Sequence, residues 1–322
     1  MACSKVLKED RISELPDPLI CQILTHLPAK DTVRTSVLSI RWTNIWLCVP
    51  SLKLTSRDFS NFNAFVSFGD RFFHSDRSSC IHKLELTINE NEEKSYIISW
   101  IDAAVKRKDA AFERFISCCP VLEDLRINGC VSKPQPFRVH SRSLKRLYIG
   151  DCYSTLVDSV PGVVIDAPQL CCLSILDNKS KRFKMIYNYS KSESLPQFSF
   201  MSRLSVTFSP QDLKWLATFL ESCPNLKSLV VVLFDYYHYE ELHSEEMNKI
   251  KCLQSSLEFV DFKLFSGHVA EMKLVRCFLE NCAILKKLTL HLDSKSTEDE
   301  IVKTLLEIPR ASTTCEVVIV KE

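Results

Sequence analysis

Fifteen cysteines and eight histidines are the side chains of this 322-residue chain best suited to hold a metal ion or to attack a substrate. Their spacing supports neither use. A structural zinc site draws thiolates from Cys-x-x-Cys pairs, which a tight turn brings onto one ion. No such pair occurs, and the adjacent pairs Cys118-Cys119 and Cys171-Cys172 suit neither zinc nor a disulfide. The histidines are scattered. Two of them, His238 and His243, stand in an aromatic and acidic stretch from Tyr236 to His243 that reads as a solvated loop between repeats, with a metal or aromatic-cage role as the alternative. Neither Gly-x-Ser-x-Gly nor His-Glu-x-x-His is present. A cysteine–histidine nucleophile needs its partners to meet only in space, and nothing in the sequence favours one. The five glycines, Gly69, Gly129, Gly150, Gly162 and Gly267, stand too far apart for a Gly-x-Gly-x-x-Gly or Walker A loop. Those loops cluster glycines so that backbone can approach phosphate. No cofactor, no metal and no catalytic residue is expected. The cysteines read as small buried hydrophobes, reduced, in a protein of the nucleus or cytoplasm.

Charge and hydropathy narrow the partners further. A formal net charge of +1 supplies no field that would draw the chain to nucleic acid or an acidic membrane. The longest purely apolar run, Leu229 to Phe234, is far short of a membrane span. Met1 to Lys5 has no apolar run after its basic residue, so no secretory signal is expected.

Residues 10–54 read as a compact helical unit. Asp17 can cap a helix whose first turn holds Pro18, where a missing N–H costs nothing. Ile20, Ile23, Leu24 and Leu27 then recur at the spacing of one helical face, and Pro28 stops the run. A second short helix starts near Asp31 and presents Val33, Val37 and Leu38. A third runs from Arg41 to Leu47, with Trp42 and Trp46 expected on one face, and Pro50 closes the unit. Three short helices bury their own apolar surface poorly, so the unit needs a partner.

From residue 80 onward the pattern apolar-x-x-apolar-x-apolar appears eight times. The triples are Ile81/Leu84/Leu86, Leu122/Leu125/Ile127, Leu144/Leu147/Ile149, Leu170/Leu173/Ile175, Met201/Leu204/Val206, Leu226/Leu229/Val231, Leu257/Val260/Phe262 and Leu285/Leu288/Leu290. Most recur near the roughly 20–29-residue interval of a leucine-rich repeat. Three share their approach: Phe115 to Leu122, Phe219 to Leu226 and Phe278 to Leu285 each run from an apolar helical turn through a cysteine into a strand. Strand residues alternate, so Leu125 and Ile127 point inward while Asp124 and Arg126 point out. Such strands must stack on their neighbours to bury the inner row. The longer interval between Leu84 and Leu125 holds two helix candidates, one over Tyr96, Ile97, Trp100, Ile101, Ala104 and Val105 and one from Asp109 to Cys118. Lys106-Arg107-Lys108 reads as cations favoured at a helix C-terminus, or as a nuclear signal.

These residues resemble a known family. Leu15 to Pro28 resembles the start of an F-box, and Thr35 to Trp46 resembles its end in plant F-box proteins with leucine-rich repeats. The stretches Ser256 to Val260, Phe278 to Asn281, Leu285 to Leu288 and Ile308 to Ser312 are similar to that family's terminal FBD domain. The resemblance implies an α/β chain: an F-box over 10–54, a leucine-rich repeat solenoid over 80–248 with parallel strands on one curved face, and an FBD cap over 249–322. It implies the substrate-recognition subunit of a Skp-Cullin-F-box ubiquitin ligase, non-catalytic itself, that docks a Skp-type adaptor and through it a cullin and a RING subunit. Leu15, Pro16, Leu19, Ile23, Leu24, Leu27, Pro28, Val33, Val37 and Trp46 match the family's adaptor contacts and small core. The family usually has a basic residue where Ile40 stands, often another at Thr43, and typically about two further repeats after Lys108. The target protein is unknown. Asp124, Arg126, Arg146, Tyr148, Lys287 and Thr289 are candidates to hold it by their outward geometry. The rival reading is a ligase-independent leucine-rich repeat scaffold.

Overall fold

The computed structural model describes residues 10–73, 81–88, 119–129, 131–132, 137–150, 153–154, 163–176, 197–208, 213–233, 250–293 and 298–321. The helix candidates between Tyr96 and Cys118, the basic triplet and the Tyr236–His243 stretch lie outside these residues.

Ten strands form one parallel sheet in sequence order: β1 (Ser51–Thr55), β2 (Lys83–Thr87), β3 (Asp124–Asn128), β4 (Arg146–Gly150), β5 (Cys172–Leu176), β6 (Arg203–Phe208), β7 (Ser228–Leu233), β8 (Phe259–Phe265), β9 (Lys287–Leu292) and β10 (Glu316–Lys321). Every member of all eight triples is buried. The second and third members occupy alternate strand positions and share the inner face. Leu84, Leu125, Leu147, Leu173, Leu204, Leu229, Val260 and Leu288 pair in register along a single row. Each such side chain contributes about 2 kcal/mol through burial, and none could be buried by its own repeat alone. Two short parallel pairs, Val131–Ser132 with Tyr153–Ser154 and Phe137–His140 with Val163–Asp166, flank the sheet.

A second ladder runs just ahead of the strands. The carbonyl of His82 accepts from the amides of Glu123 and Asp124, and that of Glu123 accepts from Lys145 and Arg146. Lys145, Cys171, Ser202, Lys227 and Glu258 repeat the arrangement toward the next repeat. The chain is therefore locked to its neighbour before each strand begins by main-chain groups, with side chains such as Ser202 adding to the joint at some repeats.

Behind the sheet lie α4 (Leu213–Glu221), α5 (Lys251–Ser255), α6 (Val269–Asn281) and α7 (Glu298–Leu306), after α1 to α3 of the N-terminal region described next. The helix face of α6 that carries Leu274, Val275, Phe278 and Leu279 is buried. Its buried Glu271 accepts from the backbone N–H groups of Ser266 and His268, satisfying donors at a positive helix end.

The N-terminal unit consists of α1 (Asp17–Leu24), α2 (Ala29–Arg34), α3 (Phe62–Phe73) beyond β1, and three 3-10 turns, Thr35–Val37, Ile40–Cys48 and Ser56–Asp58. The second of these turns corrects a sequence expectation. A 3-10 helix repeats every three residues, not every 3.6. Trp42, Ile45 and Cys48 therefore share the face that packs with Ile20, Cys21, Leu24 and Val49. Trp46, expected beside Trp42, turns away and packs with the core of the repeats. Arg41 ties the unit's start to its end, donating to the carbonyls of Ser13 and Leu15 and to the Asp17 carboxylate.

Two strands of the ten-stranded sheet, and the four short flanking strands, escaped the sequence reading. Val49/Leu52/Leu54 is a complete triple, yet Pro50 reads as the close of the helical unit. In the structure β1 pairs with β2 in register and belongs to the sheet. At the other edge, Thr314 stands where an apolar first member is expected, so β10 left no triple to find.

Candidate functional site

Two surfaces carry the residues singled out by sequence. The first is the outer side of the N-terminal helices. Helical periodicity placed Ile20, Ile23, Leu24 and Leu27 on one apolar face, and the structure divides them. Ile20 and Leu24 are buried, whereas Leu19, Ile23 and Leu27 remain 46, 46 and 42% exposed. Leu19 and Ile23 stand one turn apart on α1, so their side chains lie over one another. Val37, Leu38 and Ile40 follow at 84, 66 and 96% exposure. Scattered apolar residues on a surface are ordinary, but six within about twenty residues need covering.

The other expected contacts distribute differently. Pro16 and Pro28 are exposed at the starts of α1 and α2. Leu15 is half-buried against the small core, Val33 is half-buried, and Trp46 faces Phe68. Ile12, at 56% exposure, and Leu38 and Ile40 were not among the expected contact residues. Apolar type alone could not flag them, since it does not say which face is left over once the core is filled.

The second surface is the sheet face opposite the buried rows. Here β3 and β4 bring four expected residues together. Asp124 is almost fully buried and pairs with Arg146 Nε at 3.1 Å and Arg126 Nε at 3.6 Å. The hydrogen bond that Arg146 Nε donates to the Asp124 carboxylate holds the guanidinium above its ordinary pKa. The Arg126 guanidinium lies 5.9 Å from the Tyr148 ring centroid, within cation–π range. One carboxylate between two guanidiniums leaves a net positive, aromatic-edged patch. Lys287 and Thr289 stand on β9, several strands away, and do not join it.

A second cluster on this face was missed. At the boundary of β8 and β9, Lys263 Nζ lies 2.6 Å from His291 Nε2, and His291 Nε2 lies 3.0 Å from Asp261 Oδ1. A bulge between Phe262 and Phe265 accompanies them, with Leu264 at a φ of 52°. The alternation around the seventh and eighth triples was the available signal, since Asp261, Lys263 and His291 occupy its outward positions.

The described residues contain no group of three or more histidine, cysteine or acidic side chains placed to hold a metal ion. No described helix is long and apolar enough to cross a membrane. Burial pushes the thiols of Cys252 and Cys277 up to about 12, and raises those of Cys223 and Cys282 as well. These four have the chemistry of packing groups rather than nucleophiles.

Comparison with known families places names on these regions. The F-box domain family matches residues 12–54, the FBD family matches 246–290, and the LRR repeats of the FBD-associated F-box protein At5g56370 match 103–187. Among individual proteins, one F-box/FBD/LRR-repeat protein of Arabidopsis thaliana is 38% identical over 99% of this chain and 100% of its own length. An FBD-associated F-box protein from the same plant is 41% identical over 96% of this chain and 100% of its own. Another F-box/FBD/LRR-repeat protein is 44% identical over 95% and 84%. The first alignment runs over 440 positions against 322 residues here, so that relative carries internal segments which this chain lacks.

Proposed function

The chain belongs to the plant F-box/FBD/LRR-repeat family, and from that premise we propose that it is the substrate-recruiting subunit of a Skp-Cullin-F-box ubiquitin ligase. The observation that supports this reading is the apolar surface left open by the F-box. Its small core is filled by Ile20, Leu24, Trp42 and Ile45, yet Leu19, Ile23, Leu27, Val37, Leu38 and Ile40 stay exposed beside it. A Skp-type adaptor would cover that surface and carry the chain to a cullin and its RING partner. The exposed Ile40 extends the apolar area where the family usually has a basic residue.

Target capture falls to the outward sheet face, with Arg126, Arg146 and Tyr148 around Asp124 as its anchor. Arginine and tyrosine supply strong contacts in protein interfaces because they combine apolar area with directed donors. The chain itself performs no chemistry in this scheme. It holds a target at a fixed distance from the ubiquitin-transferring partners.

The test is reconstitution with a purified Skp-type adaptor. Co-elution as a stoichiometric complex at micromolar concentration is expected. Separate elution of the two folded proteins would sink the assignment and leave the ligase-independent scaffold.

A further inference from the structure

Adjacent cysteines in a regular strand point to opposite faces, but Cys171 and Cys172 do not behave this way. Cys171 stands just ahead of β5, where its carbonyl and amide belong to the ladder that locks one repeat to the next. Its thiol donates to the Lys145 carbonyl at 3.2 Å, which folds the side chain back toward the sheet's outward face. Cys172, the first residue of β5, lies on that same face because Leu173 and Ile175 take the inner one. The two sulfurs meet 3.8 Å apart. Both residues are reduced and part-exposed, unlike the buried Cys223, Cys252, Cys277 and Cys282.

We propose that Cys171 and Cys172 form a vicinal dithiol site that captures a thiophilic trivalent metalloid, of the class of an organic arsenical, across both sulfurs. Three observations select that ligand. The first is the sulfur separation. Adjacent Cα atoms lie about 3.8 Å apart across a trans peptide, short of the roughly 4.4 Å lower bound of ordinary disulfides. A direct S–S bond is therefore disfavoured. A single bridging atom is not: two bonds of ~2.3 Å at the roughly 100° angle of a pyramidal trivalent centre span about 3.5 Å, which the two sulfurs reach by closing a few tenths of an ångström.

The second is the number of ligands. Zinc needs four, and the described residues offer no third metal-binding side chain at this place. A trivalent arsenical R–As=O needs only two thiols and keeps its R group. The arsenic forms two As–S bonds, the As=O bond is lost, and the oxygen leaves as water with the two thiol protons. No electron changes hands.

The third is the charge around the pair. Cys172 stands in register between Arg146 on β4 and Arg203 on β6. Two flanking guanidiniums oppose a dication but not a neutral metalloid. Burial, with a smaller contribution from the neighbouring Cys171, raises the Cys172 thiol pKa. A thiol held protonated is a poor target for peroxide, so Cys172 resists oxidation at rest.

The experiment uses the full-length chain and phenylarsine oxide as the probe. Intact mass should show one phenylarsenic group gained and two hydrogens lost. Peptide mapping of that wild-type adduct should show both Cys171 and Cys172 shielded from iodoacetamide. The adduct should resist excess glutathione and yield to dimercaprol. In either Cys171→Ser or Cys172→Ser the chelate is lost, and release into glutathione should accelerate roughly a hundredfold or more. Mapping of the arsenic to other cysteines, equal retention by either single variant, or stoichiometric zinc on the untreated protein would each overturn the proposal. The mapping arm needs no variant, so a variant that fails to fold leaves the outcome readable.

Discussion

The indole of Trp46 and the ring of Phe68 lie with centroids 5.9 Å apart at an interplanar angle of 31°. Trp46 comes from the last 3-10 turn of the F-box and Phe68 from α3, beyond the first strand of the sheet. Ala29 and Leu47 join the same continuous core. The F-box unit is thus fastened to the repeats by shared packing rather than hung on a linker. Trp46→Ala should lower stability by about 2 kcal/mol, less than the ~3–5 of a fully buried ring because the indole is half-exposed. Denaturant unfolding followed by circular dichroism gives the number, and a value near zero would mean the two parts are energetically independent.

The same seam decides how the chain can be cut. Removing residues 1–54 deletes most of β1 and bares the edge of β2, with the Lys53–Glu85 pair lost as well. Removing only residues 1–48 keeps β1 in place. The longer deletion should show the lower melting temperature and the greater tendency to aggregate, as unpaired parallel edges do. Equal thermal melts and equal light scattering from the two truncations would show that β1 is not part of the cooperative sheet.

Exposed and buried apolar residues of α1 should separate by phenotype. Leu19→Asp with Ile23→Asp changes side chains already in solvent, so folding should survive while the adaptor is lost. Each apolar anchor can be worth about 2 kcal/mol, roughly thirtyfold in affinity. Leu24→Ala should do the reverse: about 3 kcal/mol of stability lost through a cavity, with little change in adaptor affinity for the molecules that stay folded. Adaptor titration by calorimetry beside thermal melts distinguishes the two. Wild-type affinity in the double variant would remove this face from the docking surface.

The raised thiols give a pH signature. Cys252 and Cys277 titrate near 9.0 when unfolded and at about 12 when folded. A group whose folded value is raised stabilises the fold fully below its unfolded value and loses that contribution as pH climbs toward the folded one. Stability should therefore fall between about pH 9 and 12. The Cys252→Ala and Cys277→Ala variants should show a shallower decline, measured by urea midpoints across that window. An unchanged slope in both would mean that these thiols are not held neutral by burial.

Gly129 adopts a φ of 78°, and a Cβ placed there would stand 1.8 Å from the Ile88 carbonyl oxygen. Gly129→Ala should cost more than about 2 kcal/mol, because backbone must move in addition to the strain of a left-handed residue. A melting temperature equal to wild type would show that the β2 and β3 loops yield freely.

The sheet was legible in the sequence because its signal is repeated. One triple is a coincidence, whereas eight in order require a stacked row, and every one of their members is buried. Val49/Leu52/Leu54 was equally well formed but was masked by the proline inside it. The F-box was harder. Its helices are short, its last turn follows a three-residue period, and its apolar residues serve two surfaces at once. Composition says that Leu19, Ile20, Ile23 and Leu24 are hydrophobic, but the angle at which Trp42 and Ile45 approach decides which of them they cover. The alternation of the seventh and eighth triples places Asp261, Lys263 and His291 outward, but the bulge beside them shifts one strand's register, and no residue pattern announces a shift of that kind.

The carbonyl of His82 receives Glu123 and Asp124 just as that of Glu123 receives Lys145 and Arg146. Yet the first joint spans the long stretch after Thr87, and the second spans an ordinary repeat. Because each joint is made chiefly of peptide groups, it depends little on the side chains or on the number of residues on the way. The units behave as interchangeable courses in a wall: one can be taken out and the courses above and below meet in the same bond. A lineage built this way can alter the length of its sheet in whole steps, gaining or shedding repeats without having to invent a new interface between those that remain.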